Sequence, residues 1–204
     1  MKSMYFLPKK FGLLTAMAIS VLLIFQATAI GEGKGKGKGP KKIPAPVPQT
    51  GQITPYSDYD DGYYQMGVAW PEPRFTDNED GTLTDNLTGL IWLKNAYCED
   101  TKTWYEALTF CDNLADGNCD IFDGSVPGDW RLPNVNELQS LLHYGDLAPC
   151  VILNESFSNV QCNDYWSSTS RNANNAFKVW FSTGDSVFSL KTGRHYVWCV
   201  RGGQ

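Results

Sequence analysis

The residue types able to do chemistry are sparse in this 204-residue chain, and their spacing limits what they can do. The histidines are His143 and His195, too few and too far apart for a histidine-based acid–base site or a zinc site with the cysteines, which form no C-x-x-C pair. Ser167, Ser168 and Ser170 sit in no G-x-S-x-G elbow. The oxygen-rich turn from Asp77 to Thr82 (DNEDGT) with Asp85 could ligate calcium through Asp77, Glu79, Asp80 and Asp85. It lacks the glycine and terminal glutamate positions of an EF-hand, and Asp80-Gly81 reads more strongly as a hairpin turn capped by its own Asp and Asn side chains. A second acidic cluster, Asp116 to Gly124, is a weaker version of the same signal. Arg131 and Arg201 could clamp a carboxylate-bearing ligand through a bidentate fork; the favoured reading has them bracing the fold against acidic neighbours such as Asp129. Trp130, Trp166, Asn163 and Asp164 complete the candidate ligand-contacting set, the tryptophans reading first as core or loop anchors.

Six cysteines, Cys98, Cys111, Cys119, Cys150, Cys162 and Cys199, lie in the C-terminal two-thirds. Their even number behind an export signal indicates a disulfide framework, with 15 pairings open. That signal is at the N-terminus: Lys2, Lys9 and Lys10 precede the apolar run Phe11–Phe25, and Ala27 and Ala29 follow at signal-peptidase spacing. Cleavage after Ala29 is the expectation. The run is short of the roughly 20 residues a membrane-spanning helix needs, so no permanent anchor is expected. The mature protein is then secreted, periplasmic or on the cell surface.

Residues 30–69 read as linker. Gly31 to Gln49 is rich in Gly, Lys and Pro with little to bury, and its alternate glycines do not match the every-third-residue pattern of collagen. The acidic, tyrosine-rich stretch Tyr56 to Tyr64 (YSDYDDGYY) is taken as more of the same. Residues 1–50 hold eight Lys against one Glu, or +7, so the net −5 leaves −12 for the remainder. So acidic a domain disfavours nucleic acid, whose phosphates demand a basic footprint.

Residues 70–204 are long enough for one core, into which most of the seven tryptophans should fall. Thr103 with Glu106, and Asn134 with Glu137, have capping-box spacing. They predict helices over 104–115 and from Asn134 to about His143. Strand signals fall at 75–76, 83–84, 90–93, 177–181, 187–190 and 196–200, the last group as an antiparallel meander. Strands, two helices, then strands make the domain α+β.

Four segments carry a resemblance: DNEDGTLTDNLTGLIWLKN (Asp77–Asn95), GDWRLPNVNELQSL (Gly128–Leu141), YWSSTS (Tyr165–Ser170) and YVWCVRGG (Tyr196–Gly203). In order across 73–204, they resemble the bacterial Lcl C-terminal domain family, which looks like a branch of the C-type-lectin-like superfamily. WRLPNVNEL and WCVRGG are also similar to segments of the formylglycine-generating sulfatase-modifying enzymes. The resemblance implies a disulfide-bonded α+β, C-type-lectin-like domain with two helices, a small twisted antiparallel sheet and a long irregular loop region over 148–175. It implies a bond between Cys111 in the first helix and Cys199 in the last strand, leaving Cys150 with Cys162 and Cys98 with Cys119. The catalytic cysteine pair of the sulfatase-modifying enzymes is missing, as are the E-P-N or Q-P-D and W-N-D tripeptides of calcium-dependent lectins. The expected function is a non-catalytic recognition or adhesion module for a glycan or protein, with no cofactor beyond an optional calcium. A structural or oligomerisation domain of an envelope assembly is the alternative.

Overall fold

In the computed structural model, residues 47–145 and 148–202 are described. The expected signal peptide and the linker residues before 47 lie outside them. The element order is α1 (Asp61–Tyr64), β1 (Phe75–Asp77), β2 (Thr82–Asp85), β3 (Ile91–Leu93), α2 (Trp104–Asp112), α3 (Val135–Ser140), α4 (Pro149–Leu153), β4 (Asp164–Ser170), β5 (Asn175–Trp180), β6 (Asp185–Leu190) and β7 (Val200–Arg201). The fold is α+β, with its strands divided between two antiparallel sheets, β1-β2-β3-β7 and β4-β5-β6.

Both capping boxes form. Thr103 accepts from the Glu106 N–H while Glu106 accepts from the Thr103 N–H, and Asn134 and Glu137 do the same at α3. Both helices stop earlier than predicted, at Asp112 and Ser140. Leu114, Leu141 and Leu142 nonetheless stay buried, because the turns that follow each helix keep them on the core face.

The expected irregular region over 148–175 instead contains α4, which Pro149 starts without a side-chain cap, and the seven-residue strand β4. At its start β4 does not alternate: Tyr165, Trp166 and Ser167 are all buried, since the strand is covered on both faces. The last expected strand, 196–200, shrinks to β7; Tyr196 makes only an isolated bridge to Tyr165, and its N–H donates to the Asp164 carbonyl.

Trp92, Trp130, Trp166 and Trp198 are fully buried. Trp198 lies at the centre, edge-on to Trp92 and Phe157, and its Nε1 donates to the Leu93 carbonyl. The disulfides are Cys111–Cys199, Cys150–Cys162 and Cys98–Cys119, the connectivity the resemblance implies. Cys111–Cys199 ties α2 to the residue entering β7, with Cys111 and Cys199 fully buried.

Residues 47–69, expected as linker, pack on the domain. Val47 and Gln49 pair with Val68, the Tyr144 N–H donates to the Thr50 carbonyl, and Trp70 Nε1 donates to the Gln49 carbonyl. Gly51, at φ +86, lies flat on the His143 ring; a Cβ there would come within 2.4 Å of the imidazole. His143 in turn meets Trp70 edge-on, and the Arg74 guanidinium lies 4.2 Å over the same indole. Main-chain atoms of this segment and the Gly51 contact dock it on the domain, which is why its composition resembled a spacer.

Candidate functional site

Three of the four carboxylates considered for calcium, Asp77, Asp80 and Asp85, have other partners. Asp85 is buried and accepts two bonds from Arg74, at 2.6 and 2.8 Å, and others from the Leu87 N–H and the Thr88 hydroxyl. Asp80 caps its own turn through the Thr82 N–H and hydroxyl, confirming the hairpin reading. Asp77 accepts from Lys94 Nζ at 2.5 Å, and that bond is the main reason its carboxyl is held below the usual range. Asp77, Glu79 and Asp120 do line one depression of about 310 Å³, but Lys94 supplies its positive charge. Among the described residues no group of three His, Cys, Asp or Glu side chains converges as a metal site.

The six candidate ligand residues form two structural knots. In the first, Arg131 forks onto Glu137 at 2.7 and 2.6 Å and also donates to the Gly202 carbonyl; the Glu137 bond raises its pKa. The sequence reading named Asp129 as its acidic neighbour, but Asp129 instead accepts from the Val126 N–H. Arg201 pairs with buried Asp123 at 3.0 Å and lies 5.3 Å over Trp130, whose Nε1 donates to Ser125. The Trp130 and Trp166 indoles are fully buried and present no surface.

In the second knot, Asp164 pairs with Lys178 at 2.5 Å and faces His195 Nδ1 at 3.6 Å, while His195 Nε2 is 3.2 Å from Ser189 Oγ. The order Ser189, His195, Asp164 is that of a hydrolytic relay, but the Asp164 oxygen that faces the imidazole is the one Lys178 bonds. Burial lowers the His195 pKa, Lys178 lowers it further, and Asp164 opposes them. Trp166 stacks edge-on against the same ring and donates to the Lys102 carbonyl. Asn163 accepts the Phe181 N–H at its carbonyl and the Asp164 N–H at its side chain. This cluster joins β4, β5, β6 and the final segment.

The feature best suited to holding a ligand is a groove that these candidates do not border. Its volume is about 1020 Å³, and it runs along the outer face of α2. One wall is Tyr105, Thr109, Phe110 and Asn113 of the helix and its C-cap; the other is Asn118, Cys119 and Asp120, held opposite by the Cys98–Cys119 bond. Cys119 and Asp120 are consecutive residues in left-handed backbone, at φ +51 and +61. Such conformations cost about 1 kcal/mol or more each and persist only where neighbours hold them. Here the disulfide holds Cys119, and the Asp120 carbonyl presses against Gly81, where a Cβ would sit 2.0 Å away.

Both cations of the groove are committed. Lys102 pairs with Glu99 at 3.3 Å and lies over Phe110, while Arg194 pairs with Glu106 at 3.2 Å and donates to the Thr101 carbonyl. The Asn113 and Asn118 amides and the Asp120 carboxylate make no side-chain hydrogen bond among the described residues, and Tyr105 is 56% exposed. An aromatic face beside unspent amides and a carboxylate can stack a ring and bond hydroxyl groups. Sequence reasoning missed this surface because its residues come from 95–120 and from Arg194, which only the folded chain brings together.

The three disulfides fit a protein that matures in an oxidising compartment. Among the described residues no helix is long and apolar enough to cross a membrane. A search of curated proteins finds no match. The family model of the Lcl C-terminal domain, which is not a known enzyme family, matches residues 81–201. That match spans more than half of the sequence, and the chain belongs to the Lcl C-terminal domain family.

Proposed function

We propose that the protein is an exported, non-catalytic recognition module. In this reading a signal peptide is removed near Ala29, and the domain binds a glycan or protein at the cell surface or beyond it. The groove along α2 carries the reading: a preformed concavity with an exposed tyrosine, unspent amides and walls fixed by a disulfide is built to hold something. Preformed walls also reduce the ordering cost of binding. In the cluster of Ser189, His195 and Asp164, Lys178 holds the carboxylate oxygen that faces the imidazole, which favours binding over catalysis there.

The test is a glycan array on the mature protein, with and without calcium, repeated on Tyr105→Ala and Asn113→Ala. Binding that both substitutions weaken while leaving the melting temperature unchanged is the expected result. The alternative of an assembly domain draws on β6, an edge strand with Val187, Phe188 and Leu190 exposed. No binding in either condition, together with stable oligomers by light scattering, would overturn the recognition reading in its favour.

A further inference from the structure

The segment ahead of β1 concentrates exposed apolar side chains that the groove does not use. Ile53, Tyr56, Tyr59, Tyr63, Tyr64 and Met66 are each more than half exposed, from 52% at Tyr64 to 77% at Tyr56. The rings of Tyr59, Tyr63 and Tyr64 touch one another with centroids 5.2 to 6.2 Å apart and so form one aromatic surface. A Tyr side chain buries about 150–250 Å² when covered, so these three tyrosines at their exposures offer on the order of 350 Å², the size of the largest apolar patch on a typical monomer, which is often functional.

The backbone beneath is fixed rather than fluid. The Asp60 carboxylate accepts from the Tyr56, Ser57 and Tyr63 N–H groups at 2.8, 3.2 and 2.9 Å and from the Gln52 amide at 3.2 Å. These bonds, the one from Tyr56 foremost, hold its pKa below the usual carboxylate range. Tyr59 and Gln65 sit in left-handed backbone at φ +72 and +47, which bends the chain so that the rings project together.

Charge selects the partner. Between Lys42 and Arg74 the sequence contains no Lys, Arg or His, while Asp58, Asp60, Asp61 and Glu72 all fall there. Aromatic faces attract cations, guanidinium groups stack on them, and surrounding carboxylates draw positive partners and repel negative ones. We propose that this face docks a basic peptide segment of another protein, its arginine or lysine side chains lying across Tyr59, Tyr63 and Tyr64 and meeting Asp58. The docking surface is independent of the groove along α2.

The experiment titrates the full chain with a fluorescent Arg–Gly repeat peptide and with its Glu–Gly counterpart, at low and at physiological salt. The basic peptide should bind at least about tenfold more tightly than the acidic one and weaken with salt. The triple substitution Tyr59→Ser, Tyr63→Ser, Tyr64→Ser should weaken its binding by about tenfold or more, and Asp58→Asn by a smaller factor. Circular dichroism melts of both variants should match the parent, because the replaced side chains are exposed. Equal binding of the two peptides, or unchanged binding by the triple variant, would overturn the proposal. So would retention on chitosan or on phosphocholine vesicles without binding of the basic peptide, which would assign the surface to a sugar or a lipid.

Discussion

The three disulfides close loops of very different length, and that difference predicts a ranking of their contributions to stability. Cys111 and Cys199 are separated by 88 residues, Cys98 and Cys119 by 21, and Cys150 and Cys162 by 12. If the bonds act by restricting the unfolded chain, loop-closure entropy assigns them about 4.6, 3.3 and 2.8 kcal/mol at 25 °C. Paired Cys→Ala substitutions, made one bond at a time and followed by guanidinium denaturation, should lose stability in that order. Removing Cys111–Cys199 adds a further loss, because both sulfurs are fully buried and truncation leaves unfilled core volume. A domain of this size has roughly 5–15 kcal/mol in total, so the variant lacking that bond should be at the edge of folding, whereas the variant lacking Cys150–Cys162 should remain cooperative. The reasoning fails if the short-loop pair proves the more damaging, or if losing the long-loop pair shifts the midpoint by less than losing Cys98–Cys119.

Other outcomes follow from single side chains. Asp85→Ala should destabilise by about 3–5 kcal/mol, since it strands the Arg74 guanidinium in a buried site; a urea melt checks it, and the double variant Arg74→Met, Asp85→Leu should recover much of the loss. Glu137→Ala removes the reciprocal α3 cap and the Arg131 fork together, and should lower stability by about 1–2 kcal/mol in the same assay, with part of the fork discounted for solvent screening. His143 and His195 both have folded-state pKa values below the ordinary value, chiefly through burial, so the unfolded chain takes up their protons more readily than the folded one. Stability should therefore be full above the unfolded pKa near 6.5 and fall as pH drops through it toward the lower folded values; His143→Gln should flatten that fall in melts between about pH 7.5 and 5. Gly51→Ala should drive the 47–69 segment off His143 and expose Tyr59 and Tyr63 to limited chymotryptic cleavage, leaving the disulfide-bonded core intact.

What could be read in advance was local. Thr103, Glu106, Asn134 and Glu137 announce two helices because a capping box is complete within four residues. The disulfide pairing came from resemblance rather than spacing, since spacing leaves 15 pairings open. β4 escaped notice because Tyr165, Trp166 and Ser167 are all buried and show no period of two. The packing of 47–69 escaped because the main-chain bond from Tyr144 to Thr50, and those that close the segment on its own Val68, leave no trace in side-chain composition. Asp85 was open to a metal-ligand reading beside the favoured turn because its partner, Arg74, meets it only across the β1–β2 hairpin. The groove was invisible for the same reason: α2, the 117–120 turn and Arg194 share a surface only in the folded chain, where the Cys98–Cys119 bond sets the turn opposite the helix.

The attachment of 47–69 also decides how the protein bears tension. A pull transmitted through Val47 does not reach β1 first; it meets the Val47–Val68 and Gln49–Val68 bonds and then Thr50 against Tyr144, one after another. Bonds loaded in sequence peel singly, so this segment yields before the core. Freeing the stretch from Val47 to Trp70 releases on the order of 80 Å of chain at about 3.5 Å per residue. Beyond it, the first disulfide begins at Cys98, and everything between Cys98 and Cys199 is covalently cross-braced. Under such a load the segment ahead of β1 would lengthen first, as a sacrificial extension, while the cross-braced groove along α2 would keep its shape.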